Sequence, residues 1–271
     1  MTGPGNVLEW RDIGNWRQRI LDLMSDVITH SVMENVRAEP PEYCHWEDPD
    51  WLQNALAKAG LHTEAPPVEI LAARLPRAYS YVRAYHACRP TNIEGYYRSG
   101  LLPAKPKLLN DLATEYFLKP PRITQETLNR AVKVVEKQHR GGHIYFALDD
   151  RILTGSHYLT HGSEYLSHIA AELKGMTGEN CPAFLKTIGI PTIFVCDLPI
   201  SYVAPSVHNL AGKLVECLFE EYVRPQWEIP TIDFTFTISV ELPPSVIVSH
   251  YHPEMSPTKG IGRTASEPDS R

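Results

Sequence analysis

The N-terminal stretch carries apolar side chains at helical spacing. Ile13, Trp16, Ile20, Leu23, Met24, Val27 and Ile28 recur three and four apart, which predicts one long helix over 7–37, ended by Ala38-Glu39-Pro40-Pro41. A second helix opens at Asp48-Pro49-Asp50-Trp51 and runs to about Gly60. Past Ala65-Pro66-Pro67 the pattern changes to short mixed elements. Strands are expected over 79–88, 143–148, 191–197, 232–242 and 245–251, and helices over 91–99, 124–139, 163–174 and 206–222. Thr91 and Glu94 fit a T-x-x-E capping box, and Gly100 suits the left-handed cap that follows. Gly141-Gly142 and Gly175 supply stops for the next two helices. Strands and helices mix without regular alternation, so the fold class is α+β. The organisation expected is a helical appendage over 1–65, a main domain over 66–252 and a disordered tail over 253–271, rich in Pro, Ser, Thr and Gly.

Composition narrows the function classes. The chain has 271 residues, 43% hydrophobic and 21% charged, enough for one large buried core. A net charge of −6 excludes a wholly polybasic nucleic-acid binder. Residues 104–140 are locally basic, with eight Lys or Arg against four Asp or Glu. That segment reads as a groove for phosphates or nucleic acid, or as a solvated helix face. Five scattered cysteines without a CxxC pair argue against a disulfide framework or a cysteine zinc site and fit a cytoplasmic protein. The first residues lack the charged and apolar regions of a signal peptide, and no apolar run approaches a membrane span. Trp10, Trp16, Trp46 and Trp51 all fall in the first stretch. Their plain reading is packing against the main domain; the alternative is a docking surface for a protein partner or antidote.

Candidate chemistry lies in two segments. In the first, a strand delivers His86 to its end, and a turn and a capped helix follow, stopping at Gly100. A histidine there either hydrogen-bonds a ligand or is satisfied within the core. The second segment is Gly142-His143-Ile144-Tyr145-Phe146-Ala147, with Tyr158 downstream. His250 and His252 alternate on the last strand and are expected to point to opposite faces, unable to share a metal.

In order and spacing, His86-Ala87-Cys88, Asn92-Ile93-Glu94-Gly95-Tyr96-Tyr97, Gly100-Leu101 and the Gly142–Ala147 block with Tyr158 resemble the ADP-ribosyltransferase domains of the poly-ADP-ribose polymerase and diphtheria-toxin type. The resemblance covers roughly 81–104 and 141–166. It implies a split, mixed or antiparallel sheet and NAD as substrate, with no metal. It also implies transfer of ADP-ribose to a protein or nucleic acid, with release of nicotinamide, in a toxin-like or defence-like setting. By that resemblance His86 binds the adenosine-side ribose hydroxyls and the Ala87 backbone holds the nicotinamide amide. Tyr145 and Tyr158 flank the nicotinamide ring, and Arg89 completes the NAD-binding set. Ala87 and Cys88 stand where the family has Gly and Ser or Thr. The reaction also needs a carboxylate by the nicotinamide ribose. Glu164, in polar His161-Gly162-Ser163-Glu164-Tyr165, is preferred over Glu241, which runs into Pro243-Pro244. Two alternatives stand beside this reading: an NAD-dependent tRNA 2′-phosphotransferase and an inactive NAD- or ADP-ribose-binding module.

Overall fold

The structure, a computed structural model, describes residues 7–119, 122–137, 142–225 and 230–254. The chain opens with a two-residue strand, β1 (Val7–Leu8), not with helix. The long helix expected over 7–37 is two: α1 (Ile13–Leu23) and α2 (His30–Ala38). The apolar period hides the break, because Met24, Val27 and Ile28 are buried in the connecting turn. Thr29 starts α2 by accepting a hydrogen bond from the Val32 amide, a local alternative to continuing the helix. Then come α3 (Asp50–Lys58) and α4 (Pro67–Ala78). Strand β2 (Tyr81–Cys88) leads to α5 (Ile93–Ser99). The cap of α5 is Asn92, whose side chain accepts from the Gly95 amide, and not the Thr91–Glu94 box.

Two helices, α6 (Pro106–Phe117) and α7 (Gln125–Glu136), fill the basic segment. Strand β3 (Ile144–Ala147), α8 (His157–His161), α9 (Glu164–Thr177), α10 (Cys181–Leu185), β4 (Thr192–Pro199), α11 (Ile200–Val203), α12 (Val207–Val223), β5 (Thr235–Ile238) and β6 (Ile247–Tyr251) follow. Gly175 sits inside α9; the stop is Gly178, with φ +78°. Gly141 and the tail from 255 lie outside the described residues.

The sheet runs β5-β3-β2-β4-β6 with antiparallel pairs, and β1 adds a parallel pair to β2. The sheet is thus mixed, and the fold is α+β. β4 covers β2 along its whole length, from Tyr81↔Pro199 to Cys88↔Thr192. The other edge of β2 is shared: β1 pairs at Tyr81 and Val82, and β3 pairs in register only at Tyr85↔Ala147. Beyond that pair β2 and β3 part, and the parting opens the cleft described below.

Strand alternation divides the sheet into two faces. Val82, Ala84, Ile144, Phe146, Phe194, Cys196 and Leu198 join a core built with α1, α2, α3, α4 and α12. Tyr85, Ala87, Ala147 and Ile193 face a small cluster with Leu153 and Leu159. Helices α6, α7, α9 and α10 make a core of their own around Phe117, Leu128 and Ile169. Residues 7–65 therefore share the main core rather than sitting apart from it. Trp10 and Trp16 are buried and stacked at 5.2 Å, and their indole N–H groups donate to the Pro230 and Trp10 carbonyls. Trp46 packs against Gly212, where a Cβ would meet its ring at 2.2 Å, and Trp51 packs edge-on against Phe219. Trp10 and Trp16 are core residues, and half-buried Trp46 and Trp51 pack against that core, as the plain reading has it. Among the described residues no helix is long and apolar enough to cross a membrane.

Candidate active site

A cleft of about 330 Å³ lies where β2 and β3 part, closed on its other sides by α6 and the α8–α9 corner. His86, Ala87, Arg89, Tyr145, Tyr158 and Glu164 all line it. They come from the end of β2, from β3, from α8 and from the first residue of α9.

By strand alternation His86 belongs to the face of β2 that carries the main core, with its ring 5.7 Å from Phe146. Where the strands part, its Nδ1 lies 2.9 Å from the Tyr145 carbonyl oxygen. Since a carbonyl only accepts, Nδ1 carries the proton and Nε2 keeps its lone pair. Burial holds the imidazole below its ordinary pKa, so the ring is neutral. Tyr145 leaves the opposite face of β3 and is 40% exposed, a large aromatic open to a ligand. Its ring lies 5.6 Å from that of Tyr158, tilted by 31°. A flat ring between them needs about 7 Å, twice a van der Waals contact of about 3.5 Å. The tyrosines must therefore part slightly, or the ring stacks on Tyr145 alone.

Glu164 is placed by its helix end. Ser163 caps α9 by accepting from the Leu166 amide, and Gly162, with φ +83°, turns the chain between α8 and α9. A Cβ on Gly162 would lie 3.2 Å from Arg89 Cβ, so the corner is packed against the end of β2. The Tyr158 hydroxyl donates to Glu164 Oε2 across a long 3.4 Å. Burial, and then the nearby carboxylate, raises the Tyr158 pKa, so the phenol keeps its proton.

Glu241 lies elsewhere. β5 ends at Ile238, short of the strand expected to 242, and Glu241 forms an ion pair with Lys105 at 2.9 Å, both side chains more than 60% exposed. It does not line the cleft.

Arg89 lines the cleft but is occupied. Its Nε donates to Ile188 O, Nη1 to Leu159 O, and Nη2 to both Lys186 O and Gly189 O. Four of its five N–H donors therefore brace the 186–189 turn and α8. The guanidinium holds the wall in place and has little left for a phosphate. Cys88 is buried beside Tyr96, and burial pushes its thiol up to about 12, which makes it an inert core thiol.

Several lining residues escaped the sequence reading. Leu102 and Leu108 are half exposed at the mouth, and His161 ends α8 on the same wall as Glu164. His161 sits three residues before Glu164, a spacing that could have flagged it.

His250 and His252 do not point to opposite faces. Residues two apart on a strand share a face, and the rings lie 5.5 Å apart. Their Nδ1 atoms are nonetheless engaged, His250 with Tyr97 Oη at 2.8 Å and His252 with Pro191 O at 3.1 Å. Among the described residues no group of three His, Cys, Asp or Glu could hold a metal ion.

No protein-family model matches the chain, and neither a curated protein nor a solved structure matches it. The likeness to ADP-ribosyltransferases thus rests on the sequence motifs alone.

Proposed function

We propose that the protein is an NAD-dependent ADP-ribosyltransferase that modifies a macromolecule, protein or nucleic acid, and releases nicotinamide. One observation carries the reading: His86, from β2, and Tyr145, Tyr158 and Glu164, from the later 145–164 segment, line a single cleft. NAD fits this donor set in its nicotinamide half. Tyr145 offers a flat aromatic face, and the Ala87 backbone lies at the end of β2 to meet an amide. Beyond that half, His86 Nε2 accepts from a hydroxyl of the adenosine-side ribose. A cleft of about 330 Å³ is at the lower end of the range for ligand pockets, about 300–1,000 Å³, so the adenosine half extends toward the open mouth.

Glu164 supplies the charge. As the bond between nicotinamide and ribose lengthens, the electron pair leaves with nicotinamide and positive charge builds on the sugar. Glu164, fixed at the start of α9, stabilises that charge and orients the ribose. Tyr158, protonated, donates to the carboxylate.

The phosphotransferase reading needs cations turned toward a phosphate, and the arginine next to the first motif spends its donors on carbonyls. The binding-module reading needs no carboxylate beside the tyrosines, and Glu164 is there.

The test is incubation with NAD labelled on the adenylate, together with protein, DNA and RNA fractions. Label should appear in one fraction, with nicotinamide released in equal amount. Binding of NAD without release of nicotinamide would select the module. Release of phosphate from 2′-phosphorylated RNA, without label in any fraction, would select the phosphotransferase.

A further inference from the structure

The corner between α8 and α9 holds an imidazole that the mechanism above does not use. His161 is the last residue of α8 and lines the cleft with Tyr158 and Glu164. Its hydrogen bonds fix its tautomer. Thr160 Oγ1 lies 2.9 Å from the Ser156 carbonyl oxygen, to which it donates its one proton. Toward His161 Nδ1, 2.8 Å away, the same hydroxyl can therefore only accept. Nδ1 carries the ring proton, and Nε2 keeps its lone pair.

The surroundings keep the ring neutral. Burial foremost, then Lys186, His157 and Arg89, hold His161 down to about 4. Tyr158 and Glu164 line the cleft on the same side. At neutral pH His161 thus presents a fixed hydrogen-bond acceptor that does not turn into a donor. It is ill suited to removing a proton in the reaction, because the imidazolium is disfavoured there. It is well suited to receiving a hydroxyl. Among the groups placed in this half of the cleft, the nicotinamide amide is assigned to the Ala87 backbone. The sugar next to Glu164 is what remains to offer an O–H.

We propose that His161 is a substrate-binding residue whose Nε2 accepts from one hydroxyl of the nicotinamide-side ribose and so sets the sugar against Glu164. The inference rests on the NAD reading of the same cleft.

Two substitutions and two substrate analogues test it. His161→Phe keeps a ring and removes both nitrogens; His161→Gln returns an acceptor near the place of Nε2. Loss of one neutral hydrogen bond should lower kcat/KM for NAD about three- to tenfold in His161→Phe. His161→Gln should stay within about twofold of the wild type, and melting curves should show all three proteins folded. NAD analogues lacking the 2″- or the 3″-hydroxyl then locate the contact. With one of them, His161→Phe and the wild type should turn over equally, because the shared interaction is already gone. A His161→Phe defect of equal size on NAD and on both analogues would show a purely structural role, and no defect at all would overturn the proposal. If the wild-type protein neither binds nor cleaves NAD, the NAD reading falls and this inference with it. If it does cleave NAD, the variants judge the inference alone.

Discussion

Replacing Glu164 by glutamine separates transition-state chemistry from binding. The substitution keeps the length and shape of the side chain and removes one negative charge. In the ground state little changes, because the carboxylate is held by the long 3.4 Å hydrogen bond from Tyr158, which an amide oxygen can also accept. NAD affinity should stay within a few-fold. In the transition state the loss is large, since the positive charge on the ribose then faces a neutral amide. Removal of one preorganised electrostatic group costs about 100- to 1,000-fold in rate, or about 2.7–4 kcal/mol. Glu241→Gln is the matched control. Its exposed pair with Lys105 is a surface ion pair, which contributes about 0–1 kcal/mol to stability, and it lies outside the cleft. The assay is single-turnover release of nicotinamide at saturating NAD, with NAD affinity measured separately by calorimetry. A large drop in rate with unchanged affinity at Glu164, and near-normal turnover at Glu241, is the expected result. Full activity in Glu164→Gln, or a comparable loss at Glu241, would refute the assignment.

Three further outcomes follow from the fold. Gly100 has φ +79°, and a Cβ there would lie 1.9 Å from the Leu242 carbonyl oxygen, so Gly100→Ala should lower stability by about 2–4 kcal/mol in urea unfolding. A chain begun at residue 66 lacks β1 and the stacked Trp10–Trp16 pair, and it should show no cooperative thermal transition by circular dichroism. His161 should also make stability depend on pH. Its folded pKa is about 4 against an ordinary 6.5, so between those values the unfolded chain binds the proton and the folded one does not. Stability therefore falls as pH drops from 6.5 to 4, by at most about 3 kcal/mol from this half-buried group. His161→Gln should flatten that slope; equal slopes in the two proteins would contradict the cause given.

Much of the site was legible because its signals are local. The end of β2, the stop at Gly100 and the turn before Glu164 each depend on residues a few positions apart. What was not legible depends on contacts across the chain. Arg89 reads in sequence as part of the NAD-binding set, but its carbonyl partners lie at 159 and 186–189. α4 was missed because Pro76 lies inside it, and α6 because Pro106 opens it in a segment read for its charge. The long N-terminal helix was overread because burial continues through a turn that is not helical. Two-residue β1 is too short to leave a pattern, although it ties the N-terminal segment to the sheet.

The strand order also sets when the cleft can be complete during synthesis. After β1, the central strands β2, β3 and β4 are made before their outer neighbours: β5 and β6 come from 235–251, after every residue assigned to the cleft. Until then the outer edges of β3 and β4 have no partners, and pairing must bridge long stretches of chain. A ribosome-bound chain thus carries His86, Tyr145, Tyr158 and Glu164 well before it has the frame that holds them together. Folding is completed only as the last strands emerge, and a chain stopped short of them exposes bare strand edges prone to aggregation.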